Sequence, residues 1–175
     1  MKKIVIVCGL IGGLIVTVPM MIFTDACYKD GNFERGMLIG YTSMILAFSM
    51  VFVGIRNYRN KYNNGLISFG KAFKVGFFIV LVASSIYVLV WLINYYFFMP
   101  DFAERYGMHM INRLKASGAS QVKIDAETKE MADFAKMYKN PGIVILFTYI
   151  EILPVGLLMT LVAALILKRK QKAVA

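Results

Sequence analysis

Four long runs of apolar side chains limit what this chain can fold into more than any other feature of its sequence. They cover residues 4–23, 37–55, 75–99 and 143–167. An α-helix needs about 20 apolar residues to cross the ~30 Å hydrocarbon core of a bilayer, and each run is long enough to do so. The pattern therefore predicts an all-α integral membrane protein with four transmembrane helices.

The overall composition supports this class. Hydrophobic residues make up 59% of the 175 residues and charged residues 17%, whereas about a quarter of the residues in an average soluble domain are charged. The four runs take up about half of the chain, which leaves no room for a separate soluble domain. We therefore treat residues 1–175 as a single membrane domain.

The first run also follows two lysines, as a secretory signal peptide would. Its apolar stretch is longer than the roughly 7–15 residues of a signal core. We expect residues 1–26 to be retained as a helix, and the alternative is cleavage before Cys27.

Basic residues are concentrated at one end of the predicted helices. Eleven of them lie before the first run, between the second and third, and after the fourth, with no acid in the middle stretch. The other two connections are nearly neutral. The positive-inside rule then predicts that both termini and residues 56–74 lie in the cytoplasm, and that residues 24–36 and 100–142 lie outside a bacterial inner membrane. Contact with anionic lipid headgroups explains the net charge of +10 without a nucleic-acid partner.

The long connection at about 101–140 has helical periodicity and is predicted to form an amphipathic hairpin between helices 3 and 4 on the outer side. The first helix would end at Gly118, and its apolar residues are Ala103, Tyr106, Met110 and Leu114. The second would end before Pro141, and its apolar residues are Met131, Phe134, Ala135 and Tyr138. Ion pairs are expected between Asp101 and Arg105 and between Asp125 and Lys129. We expect the apolar stripes to lie on the bilayer surface or to cap the bundle, and a docking surface for a partner is the alternative.

Two pairs of glycines have the spacing of small-residue packing motifs. Gly9 and Gly13 lie in the first run, and Gly36 and Gly40 lie at the start of the second. Such pairs let helix backbones approach closely. Packing within one bundle is the first interpretation, and a dimer interface is the second.

Residues 65–72 (GLISFGKA) match part of the sequence pattern of a phosphate-binding loop, but they lack the features that such a loop requires. Ala72 replaces the required serine or threonine, and no strand precedes the segment. Leu66, Phe69 and Phe73 instead recur at helical spacing. They predict a short interfacial helix that leads into the third span.

The sequence contains no familiar catalytic or metal-binding set. His109 is the only histidine, and no second histidine or cysteine lies near it in sequence, so we expect no metal site. Cys8 and Cys27 would have to bond across most of the membrane, which predicts two free thiols. We expect neither enzymatic activity nor a cofactor.

Glu151 is the only acidic or basic side chain within the four runs. A charged side chain at such a depth costs about 3 kcal/mol, so Glu151 should face protein or water. At 1.5 Å per residue, Glu151 lies ~12 Å below the outer end of its helix. By the same count, five further polar side chains lie ~7–9 Å below the outer surface of the membrane and form a polar layer: Asn94, Thr42, Ser43, Thr148 and Thr17.

Pro154 is predicted to kink the fourth helix. It lacks the donor that would bond the carbonyl of Ile150, one residue before Glu151. A carboxyl beside a freed carbonyl is a candidate ion or proton site. The alternative is a structural role for Glu151, hydrogen-bonded to Asn94 or to nearby hydroxyls.

The chain resembles a bacterial membrane family known as domain of unknown function 4199. The similar stretches are residues 65–74 (GLISFGKAFK) with the third span, and residues 148–156 (TYIEILPVG) with the basic tail. The resemblance implies a four-helix inner-membrane protein and brings no activity, substrate or site residues.

Two functions remain open at this point. The first is a small non-enzymatic membrane protein that acts as an accessory or scaffold unit. The second is a minimal transporter or channel with Glu151 as an outward-facing proton or cation site. The expected partners are membrane lipids and either a second copy of the chain or another membrane protein.

Overall fold

Each apolar run forms a helix that extends into its polar flanks. The computed structural model describes residues 1–30 and 33–169, so that Lys170 and Lys172 of the basic tail lie outside the described residues. The helices are α1 (Lys2–Asp30), α2 (Phe33–Phe48), α3 (Met50–Tyr62), α4 (Phe69–Phe98), α5 (Phe102–Ala116), α6 (Gln121–Met137) and α7 (Pro141–Leu167).

Four helical segments are long and apolar enough to cross a bilayer. They are α1, the combined α2 and α3, α4, and α7, which confirms the four predicted spans. At 1.5 Å per residue, the 30 residues of α4 extend about 45 Å and exceed the ~30 Å hydrocarbon core.

The hydrogen-bond pattern of the second span changes locally at Ser49, where α2 ends and α3 begins. The backbone of Ser49 keeps helical angles (φ −59°, ψ −24°), and its amide contacts the carbonyls of both Ile45 (3.0 Å) and Leu46 (3.2 Å). Its hydroxyl donates to the Leu46 carbonyl (2.6 Å), a bond that competes with the backbone hydrogen bonds of the helix. On the two sides of Ser49, α3 packs against α1, α4 and α7, whereas α2 packs mainly against α1 and α7.

Glycines bring α1 close to α4. A Cβ atom on Gly9 would lie 2.6 Å from the Cβ of Val82, and one on Gly13 would lie 2.6 Å from the Cδ1 of Ile86. Gly36 faces the sulfur of Cys27, while Gly40 has no such neighbour within 4 Å. Three of the four glycines therefore lie in helix contacts within the chain.

Helices α5 and α6 pack against each other and cover the end of the bundle where α4 ends and α7 begins. We call this the capped end. Three ring contacts hold the pair there: Trp91 with Phe102 (5.0 Å between centroids), Tyr95 with Tyr138 (5.3 Å), and Phe134 with Phe147 (6.2 Å). The apolar stripes of α5 and α6 thus pack on the bundle.

One of the two expected ion pairs of this segment forms. Arg105 donates to Asp101 at 2.8 Å. Asp125 instead accepts a hydrogen bond from Gln121 (2.8 Å), and the described residues include no ion pair between Asp125 and Lys129.

A polar cluster also ties α5 to the end of α1. The Tyr28 hydroxyl donates to the Asp101 carboxylate, and the Arg105 guanidinium lies over the Tyr28 ring, 4.4 Å from its centroid. Next to this cluster, the Phe33 ring packs against Phe102 (5.7 Å) and Tyr106 (5.6 Å). The start of α5 is therefore attached to the end of α1 and the start of α2.

At the opposite end, the segment before α4 is joined to the end of α7. Ile67 and Arg169 exchange backbone hydrogen bonds of 3.0 and 2.9 Å, and the Arg59 guanidinium donates to the Leu167 carbonyl (3.2 Å). Helix α4 begins at Phe69 and runs unbroken to Phe98. The predicted helix does lead into the third span, because Phe69 and Phe73 lie in the first turns of α4, but Leu66 lies before the helix begins.

Replacing Gly9 with alanine should destabilise the bundle, because the new Cβ would overlap the Val82 side chain. Such overpacking costs about 1–3 kcal/mol. Gly40→Ala is the matched control, since alanine in an open helical position is favoured over glycine by about 0.5–1 kcal/mol. Thermal unfolding in detergent, followed by circular dichroism, should show a lower midpoint for Gly9→Ala only. Equal midpoints for the two variants would contradict the close packing of α1 on α4.

The contact between α1 and α5 should weaken in acid. The hydrogen bond from Tyr28, followed by that from Arg105, lowers the pKa of Asp101 below its ordinary value of 3.8. A group with a lowered pKa stabilises the fold above its unfolded-state pKa, and this stabilisation is lost as the pH falls through the folded-state pKa. Asp101→Asn should therefore lower the unfolding midpoint at about pH 6 and have less effect near pH 3.

Asp125→Asn on α6 is the control for this measurement, since its carboxylate contacts neither α1 nor a cation in the described structure. If the difference in unfolding midpoint between wild type and Asp101→Asn stays constant with pH, the charge of Asp101 does not stabilise this contact.

Candidate functional site

A cavity of about 390 Å³ lies at the capped end, between α2 and α4. Its walls come from α1, α2, α4 and α7, and residues of α5 and α6 also line it. Helix α3 packs against α4, whereas α2 packs mainly against α1 and α7, and this difference leaves space between α2 and α4.

Glu151 lines this cavity and is the one acidic or basic side chain among the described lining residues. On α7, Thr148 and Ile152 face the bundle interior, and Glu151 lies at the edge of that buried face. The Glu151 side chain is exposed and lines the cavity, and protein atoms surround most of its carboxylate. Within the described part of the chain it has no hydrogen bond and no ion pair.

Two tyrosines lie within electrostatic range of Glu151. They are Tyr87 on α4 and Tyr138 just after α6. Burial raises the pKa of the Tyr138 hydroxyl to about 12, and the Glu151 charge adds to the rise. The Tyr138 hydroxyl therefore stays protonated near neutral pH, which makes it a hydrogen-bond donor.

Half of the residues that line the cavity beyond Glu151 are aromatic. The rings come from five helices and the segment after α6, and six of them form a chain of ring contacts: Phe33, Trp91, Phe102, Tyr106, Phe134 and Tyr138. The stripe residues of α5 and α6 were predicted to cap the bundle or lie on the bilayer. The sequence did not indicate that these rings meet around Glu151, although three of the eight stripe residues are aromatic.

The structure places one of the predicted polar-layer residues beside Glu151. Ser43 lines the cavity, and its hydroxyl donates to the Gly40 carbonyl (2.7 Å). Thr42, one residue earlier, is exposed and donates to the Leu38 carbonyl (2.8 Å).

The other three predicted residues are buried in the bundle and do not line the cavity. Thr17 donates to the Gly13 carbonyl and Thr148 to the Val144 carbonyl, each at 2.7 Å within its own helix. The Asn94 side chain is 8% exposed. A helix carbonyl thus satisfies each of these threonine hydroxyls, which removes the need for a partner across the bundle.

Two prolines lie inside transmembrane helices near the site. α7 continues through Pro154 as one helix. Pro19 in α1 lines the cavity and was not predicted, although a proline within the first apolar run was visible in the sequence. Each proline leaves the carbonyl four residues earlier without its usual donor.

The chemistry available here is that of one carboxyl group, several hydroxyls and aromatic rings. Cys27 also lines the cavity, while Cys8 does not, and both are free thiols. His109 packs against the Phe33 ring (5.3 Å). The described residues contain no group of three or more histidine, cysteine or acidic side chains that would hold a metal ion. The arrangement can exchange a proton or hold a cation.

Comparison with known proteins gives a family and no function. No curated protein and no solved structure matches the chain. One family model, described as "Protein of unknown function (DUF4199)", matches residues 6–169 and so spans nearly all of the described structure. The chain therefore belongs to the DUF4199 family.

Proposed function

We propose that this protein is a small, non-enzymatic integral protein of the bacterial inner membrane that binds a proton or cation at Glu151, as a minimal transporter or channel would. One observation carries the proposal: the single carboxyl group of the apolar spans lines a cavity of about 390 Å³. A carboxyl group with a packing role would be expected to form a hydrogen bond with a neighbouring side chain, as polar groups inside a bundle do. Glu151 has none in the described structure.

The proposed orientation places both termini in the cytoplasm and the capped end outside. The basic residues at the end of the bundle opposite the cap support this arrangement, because cytoplasmic loops carry an excess of lysine and arginine. The cavity then lies in the outer half of the membrane, where an outward-facing site requires it.

The accessory or scaffold function has less support. It would use the apolar stripes of α5 and α6 to dock a partner, but Ala103, Phe134 and Tyr138 pack against the bundle. Membrane lipids remain the expected surroundings, and a second copy of the chain is a further proposed partner. Nothing in the fold calls for nucleic acid.

Replacing Glu151 with glutamine should abolish cation or proton flux while leaving the fold intact, since the amide keeps the shape and cannot carry the charge. Purified protein in liposomes with a pH-sensitive or cation-sensitive dye measures this flux. Glu104→Gln, an exposed change on α5, is the matched control. Flux that is equal in wild type and Glu151→Gln, or absent from wild type under proton and cation gradients, would disprove the proposed function.

The orientation predicts different labelling of the two ends of the bundle. In a variant with alanine at Cys8 and Cys27, Ser120→Cys should react with a membrane-impermeant maleimide on intact cells. Asn60→Cys should react only after the cells are opened. Both positions are exposed in the fold, so burial does not account for a difference. Reaction of Asn60→Cys on intact cells would reverse the proposed orientation.

A further inference from the structure

The cavity is larger than a proton or a bare metal ion requires. Its volume of about 390 Å³ lies within the range of roughly 300–1,000 Å³ found for small-molecule sites. An ion bound to Glu151 alone would leave most of this space and most of the aromatic wall without a function. The shape of the site therefore indicates a ligand with several non-hydrogen atoms.

The lining offers few ligands for an inorganic cation. Hard cations such as Mg²⁺ and Ca²⁺ take six or more oxygen ligands, largely from carboxylates, amide carbonyls and water. Glu151 supplies the one carboxylate, and no asparagine or glutamine is among the described lining residues. The site thus holds a countercharge for one positive group but lacks the oxygen cage of a metal-ion site.

Together with the Glu151 carboxylate, the aromatic rings of the lining are typical of a different kind of cation site. Tyr87 and Trp91 on α4, Tyr41 on α2 and Tyr138 all line the cavity with Glu151. The faces of tryptophan and tyrosine rings attract ammonium groups, more strongly away from water, and such rings form the cages that recognise quaternary ammonium ligands. Apolar substituents on the nitrogen also gain by leaving water for these walls.

We propose that the cavity binds an ammonium group that carries carbon substituents, with its charge against Glu151 and its substituents against the rings of Tyr87, Trp91 and Tyr138. This inference rests on the proposed role of Glu151 as a cation site and names the class of cation. Two sources offer this chemistry: a free organic amine, and the ethanolamine headgroup of a membrane lipid.

Trp91 provides the measurement, because it is the only tryptophan of the chain and lines the cavity. The full chain is placed in nanodiscs of phosphatidylglycerol, which contains no ammonium group. Tetraethylammonium chloride should change the Trp91 fluorescence in a saturable way, and sodium chloride at the same concentration should not. Glu151→Gln should lose this saturable change.

Nanodiscs that also contain phosphatidylethanolamine separate the two sources. If the lipid headgroup is the ligand, these discs should show the fluorescence change without any addition, and tetraethylammonium should then bind with a higher apparent Kd. If the ligand is a free amine, the two kinds of nanodisc should give the same titration. Either result supports the inference.

Two substitutions of Tyr87 test the role of the ring. Tyr87→Leu should raise the Kd for tetraethylammonium about tenfold, because one cation–π contact is lost. Tyr87→Phe should bind as wild type does, since it keeps the ring and loses only the hydroxyl. Phe97→Leu, on the same helix and 79% exposed, is the matched control. If Tyr87→Leu does not elute as folded protein, Tyr41→Leu, whose ring is 46% exposed, takes its place.

The outcomes separate this inference from the proposed function. If Glu151-dependent flux occurs but neither tetraethylammonium nor phosphatidylethanolamine changes Trp91 fluorescence, the inference is wrong and the proposed function stands. The same holds if sodium or potassium alone gives the saturable change, or if Tyr87→Phe binds as weakly as Tyr87→Leu. If both the flux and every cation effect at Glu151 are absent, both proposals fail.

Discussion

The two halves of the second span have different neighbours, and this difference positions the candidate site. The half formed by α3 packs among α1, α4 and α7, and its Val51 and Ile55 side chains are completely buried. The half formed by α2 packs mainly on α1 and α7, and the cavity lies between this half and Tyr87 and Trp91 of α4.

The capping helices line the cavity from the capped end. Their polar faces remain exposed, while rings from Phe102, Phe134 and Tyr138 contact α4 and α7. The cluster around Asp101 attaches the start of α5 to the end of α1. Aromatic contacts thus connect the cap to α4 and α7, and the polar cluster connects it to α1.

The setting of Glu151 explains how an apolar helix tolerates a carboxyl group. Insertion scales put the cost of a charged side chain at the centre of a bilayer at about 3 kcal/mol, and such residues face cavities or the interior of a bundle. Glu151 agrees with this rule in that it lines the cavity. In the same geometry, a positively charged ligand in the cavity would contact both the Glu151 carboxylate and the aromatic rings of the lining.

The sequence by itself determined the helices, because hydropathy and helical periodicity are properties of local segments. It also determined the ion pair between Asp101 and Arg105, one helical turn apart. Only the tertiary structure decided that Ser43 lines the cavity with Glu151 while Thr42 is exposed, since packing sets the rotation of a helix about its axis. It also decided the bond between Tyr28 and Asp101, 73 residues apart, and the meeting of rings from separate helices around one carboxyl group. Such contacts depend on how whole helices pack, which no local pattern of residues specifies.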